Sequence, residues 1–213
     1  MRGRVAMTAA WFALTANLTG AVYAFGVRSY LAWRATRDTG MRLGTQPPGS
    51  LAWWARVLFV GALALLLAAP VAALAGLPAL AVATAVTVTG AVLTAAGTVM
   101  VVLAQLTMGS SWRVGVDPAE RTDLVVGGLF RFCRNPIFTA MGMTAAGTLL
   151  LVPNLVSAAG LVALLVGVQL QVRVVEEPYL LGAHGAAYRR YAARTGRFLP
   201  LVGRLKTAAL GEA

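Results

Sequence analysis

Three long stretches of this chain, residues 5–27, 57–112 and 135–172, contain no Asp, Glu, Lys or Arg. That one feature constrains the fold more than any other. A helix crossing a bilayer needs roughly 20 mainly apolar residues, and each stretch is long enough for at least one. Composition agrees, since 59% of the 213 residues are hydrophobic and only 12% are charged. A soluble domain would carry about a quarter charged residues, so a water-soluble globule is excluded. A single cysteine and a single histidine also exclude a disulfide framework and a Cys/His zinc cluster.

The first stretch predicts one span near 5–27. The second is too long for one helix and is expected to break at Pro70 and again at Gly76-Leu77-Pro78, giving spans near 54–75 and 79–106. The third is expected to turn at Pro153-Asn154, leaving a hairpin of a short span near 136–152 and another near 155–173. The chain therefore reads as an all-α membrane bundle of about five helices. Its N-terminal region, 1–106, holds three spans. Its C-terminal region, 107–213, holds a loop, the hairpin and a helical tail. Arg2, Arg4 and Val22-Tyr23-Ala24 also fit a cleaved signal peptide, but the apolar run exceeds the ~7–15 residues of a typical signal core. A retained span is expected.

The turns at 70–78 and 153–154 carry no charge, whereas 28–56, 107–134 and the tail hold 16 of the 18 basic residues. Basic residues near span ends mark the cytoplasmic side. The expected topology is a multi-pass cell-membrane protein with its N-terminus outside; only Arg2 and Arg4 run against it. The net charge of +11 then reflects this bias and attraction to anionic lipid, and no nucleic-acid partner is expected.

Polar residues are concentrated on one side, in the loop 107–134 and the tail, so chemistry is expected at that mouth. The run Gly127-Gly128-Leu129-Phe130-Arg131-Phe132-Cys133-Arg134-Asn135-Pro136 reads as a turn followed by a capped helix. Asn135 is placed at the N-cap and Pro136 at the first helical position. Such a helix end favours an anion. In Arg173-Val174-Val175-Glu176-Glu177-Pro178, two carboxylates meet at a span end, where their desolvation is costly. Helical spacing puts Arg173 beside one or both of them, and Pro178 is expected to kink the helix and re-aim them. Tyr188 and Tyr191 share a face of a basic tail helix that could lie on the membrane or fold back as a lid. His184 is expected to be structural, and Cys133 a small apolar residue.

Leu124-Val125, Gly128, Phe130 and Arg134-Asn135-Pro136-Ile137-Phe138, followed by Glu176-Glu177-x-x-Leu180, Gly185-x-x-Tyr188-x-x-Tyr191 and Arg197-x-x-Pro200, form an ordered set. This set resembles the isoprenylcysteine carboxyl methyltransferase family, itself similar to membrane phospholipid methyltransferases. The likeness covers about 108–200. It implies a membrane methyltransferase dependent on S-adenosylmethionine. By that resemblance the cofactor pocket falls on Gln105, Thr122, Asp123, Leu124, Val125, Gly128, Phe130, Arg134, Asn135, Pro136, Ile137, Phe138 and Glu176. Arg173, Glu176 and Glu177 take the catalytic positions, and Arg173, Tyr188 and Trp112 face the acceptor. Family members usually carry His at position 135 and Tyr at positions 130 and 138. Asn135 can hydrogen-bond and cap but cannot titrate, while Phe130 and Phe138 keep their aromatic faces. Methyl transfer to an anionic carboxylate or thiolate needs alignment and exclusion of water rather than a general base.

Two other classes fit the topology. A transporter would place charge inside a span or show an internal repeat, and neither is present. A nicotinamide-dependent reductase would need a recognisable nucleotide motif, which is absent too. The expected partners are the bilayer and a lipophilic or small-molecule acceptor; the sequence does not choose among such acceptors or fix an oligomeric state.

Overall fold

The computed structural model describes residues 2–42, 46–115 and 123–205, apart from the side chains of Arg2 and Ser110. Helix α1 (Arg2–Ala21) widens into a π-helical turn, Val22–Val27, and continues as α2 (Arg28–Thr36). The expected span end at Val27 is therefore overrun by nine residues. A first charge ends an apolar run, but nothing at Arg28 ends a helix. Its side chain is buried, donating to the Gly109 carbonyl at 3.2 Å and lying 5.2 Å from the Trp112 ring centre. The helix stops at Arg37, which is left-handed (φ 60).

Helix α3 (Leu51–Leu74) starts at Ser50, whose hydroxyl accepts from the Trp53 amide. Pro70 sits inside α3 and is buried, so the break expected there does not occur. A proline at position 70 cannot donate to the carbonyl four residues back, that of Leu66. The Asn17 side chain does so instead, at 3.1 Å. Residues 77–83 lead, without regular structure, to α4 (Thr84–Met108), and the Leu80 amide donates to the Pro153 carbonyl.

Helix α5 (Pro136–Leu151) has 16 residues, about 24 Å at 1.5 Å per residue, short of the ~30 Å hydrocarbon core. The turn after it is locked by a capping box between Asn154 and Ser157, and Asn154 also donates to the Ala69 carbonyl. Helix α6 (Leu155–Leu170) widens into a second π-helical turn, Gln171–Glu176, and continues as α7 (Glu177–Arg194). Pro178 falls in the first turn of α7, where its missing donor is tolerated. The kink expected there lies instead at Gly185 (φ 48, ψ −120).

Among the described residues, four helices are long and apolar enough to cross a membrane, Gly3–Thr36, Leu51–Leu74, Thr84–Met108 and Leu155–Arg194, with α5 a shorter apolar fifth. The protein is thus an all-helical membrane bundle. Lipid tails give helices no apolar reason to associate, so close packing of small residues must do it. Helices α4 and α5 pack antiparallel in this way. A Cβ on Gly97 would lie 2.7 Å from the Ala140 carbonyl oxygen, and one on Gly147 would lie 2.7 Å from that of Gly90. Helices α3 and α6 repeat the arrangement, with Gly167 against the Phe59 amide. Helix α1 leans across both pairs, its Ala9, Ala10 and Ala13 meeting Leu151 and Val152. Trp11, Val60, Val92, Val162 and Leu165 are exposed, as suits a lipid-facing exterior.

Candidate functional site

A cavity of about 560 Å³ lies within the bundle, bordered by all of the membrane helices. Its polar end is at the loops, where α2 ends and α3 and α5 begin. Met41 and Arg42 line it there with Trp112, Arg113, Asp123, Arg134, Asn135 and Glu176. Its other end is an apolar arm between Leu63, Leu66 and Leu67 of α3, Met141 of α5 and Leu164 of α6. Both π-helical turns border it, through Ala24 and Phe25 and through Gln171, Val175 and Glu176. Such turns recur at functional sites because they re-aim side chains and free backbone groups. The freed carbonyl of Ala24 accepts from Gln105 at 3.3 Å.

The residues expected from sequence mostly converge. Gln105, Trp112, Asp123, Leu124, Val125, Phe130, Arg134, Asn135, Pro136, Ile137, Phe138, Glu176, Glu177 and Tyr188 all line the cavity. Thr122 lies outside the described residues. Gly128 does not line it. Its backbone is left-handed (φ 54), and a Cβ there would sit 2.7 Å from a Thr107 methyl, so glycine serves the turn and a close approach to α4. Arg173 is exposed, absent from the cavity wall, and donates to Gln169 at 2.8 Å. Gln171–Glu176 is a π-helical turn, wider than an α-turn, so the three-and-four spacing that sets Arg173 beside the carboxylates in an α-helix does not apply across it.

The two carboxylates point apart, as neighbours on any helix do. Glu176 faces the cavity and accepts from Gln171 at 3.3 Å. Glu177 is buried in a knot of cations: Arg134 donates to its Oε1 at 2.6 Å, and Arg197 grips both oxygens at 2.8 and 2.9 Å. Arg134 also donates to the carbonyls of Ala192, Thr195 and Gly203. The knot therefore ties the tail segment 195–203 onto the start of α5. That segment takes the Asn135 side chain as well. Asn135 stands at the N-cap position as expected, yet its amide makes no capping bond and instead donates to Arg197 at 2.9 Å. Thr139 donates to Phe198 at 2.6 Å and Tyr191 to Phe130 at 2.6 Å.

On the opposite wall, residues 40–42 pair with Val114 through backbone bonds. Asp38 is gripped by Arg42, which holds its carboxyl well below the usual carboxylate range. Burial pushes the Cys133 thiol up, so it stays protonated and unreactive. Sequence reasoning missed the contribution of the first two spans, including Asn17, Phe25 and Arg56. Asn17 alone left a legible mark, as an amide in the middle of an apolar run.

The donor set suits a charged, amphiphilic ligand. Gln105 is buried and lines the cavity, and its Oε1 has no hydrogen-bond partner, which is costly unless a ligand donor reaches it. Glu176 can receive an ammonium. The first turn of α5, whose Ile137 and Phe138 amides have no intrahelical acceptor, can receive a carboxylate. Phe130, Phe138, Trp112 and Tyr188 supply aromatic surface for a flat ring or a sulfonium.

Residues 85–187 match the family model described as phospholipid methyltransferase. No curated protein sequence matches the chain significantly. Among solved structures, the fold is similar to that of a eukaryotic intramembrane Ras methyltransferase, an isoprenylcysteine carboxyl methyltransferase, with a TM-score of 0.57 and 19% identity over 86% of this chain. The chain spans 63% of that protein's length.

Proposed function

We propose that this chain, whose residues 85–187 carry the phospholipid methyltransferase region, is a multi-pass membrane enzyme that methylates a lipophilic acceptor with S-adenosylmethionine at the cytoplasmic face. The observation that carries the reading is the convergence of Asn135–Phe138 and Glu176, far apart in sequence, on one cavity with a buried, unpartnered Gln105 oxygen. When bound, the cofactor supplies a methyl group on a positively charged sulfur.

The residues present fit that group. Glu176 would take its ammonium, the first turn of α5 its carboxylate, and the aromatic side chains its adenine and sulfonium. Gln105 would accept from the adenine amino group or a ribose hydroxyl. Leu124, Val125, Ile137 and Phe138 keep water away, and exclusion of water strengthens each of these electrostatic contacts. Glu177, Arg134 and Arg197 act as positioning residues, holding the tail against α5. The acceptor is a carboxylate or thiolate on a lipophilic body, already anionic, so that no proton need be removed. Arg173 lies off the cavity; Arg56, where the polar end meets the apolar arm, takes the role of orienting the acceptor's charge.

Detergent-purified protein given S-adenosylmethionine with a labelled methyl and a membrane lipid extract should yield labelled, organic-extractable product. Glu176→Gln should lower that yield by at least about tenfold, roughly 1.4 kcal/mol of lost binding. Folded wild-type protein that transfers no label to any lipid fraction would overturn the proposal.

A further inference from the structure

The apolar arm of the cavity ends in a hydrogen-bonded floor, two of whose three members, Asn17 and Leu66, lie outside the matched family region. Asn17 donates to the Leu66 carbonyl at 3.1 Å and to the Thr148 hydroxyl at 3.1 Å, and accepts from Thr148 at 3.3 Å. These three residues cross-brace α1, α3 and α5. Leu66 is buried, Thr148 is wholly buried, and Leu164 closes the side. Pro70 makes this brace obligatory, because it leaves the Leu66 carbonyl without its helical donor. A floor built this way is stiff. An inserted tail could displace it only by stranding a carbonyl inside the membrane, where an unsatisfied polar group costs several kcal/mol.

Arg56 and Leu67 mark the two ends of the arm along α3. Eleven residues separate them, roughly 16 Å at 1.5 Å per residue, close to half of the ~30 Å hydrocarbon core. The arm is therefore about one leaflet deep and stopped at its end.

We propose that the Asn17–Leu66–Thr148 floor is a length gauge. It admits an acceptor whose single hydrocarbon tail is about as long as one leaflet is thick, and rejects longer ones. Leu63 and Leu67, half-buried on the α3 wall beside that floor, set how much of the depth above it a tail can use. This inference rests on the acceptor reading above. Affinity should rise with every methylene until the tail meets the floor, then stop rising or fall. While burial is unobstructed, each methylene contributes about 0.8 kcal/mol, close to a fourfold gain in affinity.

The probe is a homologous series of straight-chain carboxylic acids, short to long, displacing a fluorescent fatty acid from the detergent-purified full chain. Wild type should show a break in affinity at one tail length. Leu67→Ala should move the break to longer tails, and Leu63→Trp should move it to shorter ones. Opposite shifts in the two variants exclude a general loss of folding as their cause. A break that stays in place in both variants, or affinity that climbs with length and never breaks, overturns the gauge. Calorimetric binding of S-adenosylhomocysteine, measured on the same samples, keeps the two ideas distinguishable. Binding without a movable break sinks the gauge alone. A movable break without binding supports the gauge and sinks the methyl-transfer reading.

Discussion

Glu176 and Glu177 are neighbours in sequence, and their environments ask different things of them. Glu177 spends both oxygens on Arg134 and Arg197, so Glu177→Gln leaves two cations short of their counter-charge. Removing one member of a buried pair costs about 3–5 kcal/mol. Thermal unfolding in detergent should therefore show a clear drop for Glu177→Gln and little change for Glu176→Gln, with cofactor binding weakened in the latter. Arg173→Ala should keep near wild-type transfer, because its guanidinium contacts Gln169 outside the cavity. Loss of turnover in a folded Arg173→Ala protein would return that arginine to the site. The residue types and their order were readable from sequence, and fourteen of the expected positions do line one cavity. Their directions were not readable. Spacing of three and four places Arg173 beside the carboxylates only in an unbroken α-helix, and nothing in Gln171–Glu176 announces a π-helical turn.

At the scale of elements, Pro70 is the most instructive. Read alone, a proline inside an apolar run predicts a break. In the structure it is buried mid-helix, since a side chain from another helix supplies the missing hydrogen bond. Two separated positions share that solution, which makes it invisible to a local pattern. The coupling is measurable. Asn17→Leu should destabilise by about 1–3 kcal/mol, the cost of a buried acceptor left unsatisfied. Adding Pro70→Ala, which restores an amide at position 70, should recover much of that loss. Strict additivity of the two substitutions would contradict the pairing. Helix contacts follow a simpler rule. Gly97→Leu should separate α4 from α5, because the new side chain would start 2.7 Å from the Ala140 carbonyl oxygen. Loss of folded protein in size-exclusion profiles would register it. Charge-free runs located the helices well. Their ends were less legible, because an arginine such as Arg28 marks the edge of an apolar run without ending a helix.

For the whole molecule, the helix pairs α4–α5 and α3–α6 form a small-residue frame, and α1 leans against it to enclose a chamber. The chamber is polar where the loops meet and apolar within the bundle. That gradient is what a reaction between a charged cofactor and a lipophilic acceptor requires, and the tail clamped by Arg134 braces the start of α5 that lines it. The central claim is that the Asn135 and Glu176 regions form one cofactor pocket. Isothermal titration of the detergent-purified chain with S-adenosylhomocysteine, alongside Glu176→Gln and with NADPH as a second titrant, tests it most directly. The account predicts saturable one-to-one binding to wild type, at least about tenfold weaker binding to the variant, and no binding of NADPH. Absence of saturable binding to folded wild-type protein, or equal binding to the variant, would contradict it.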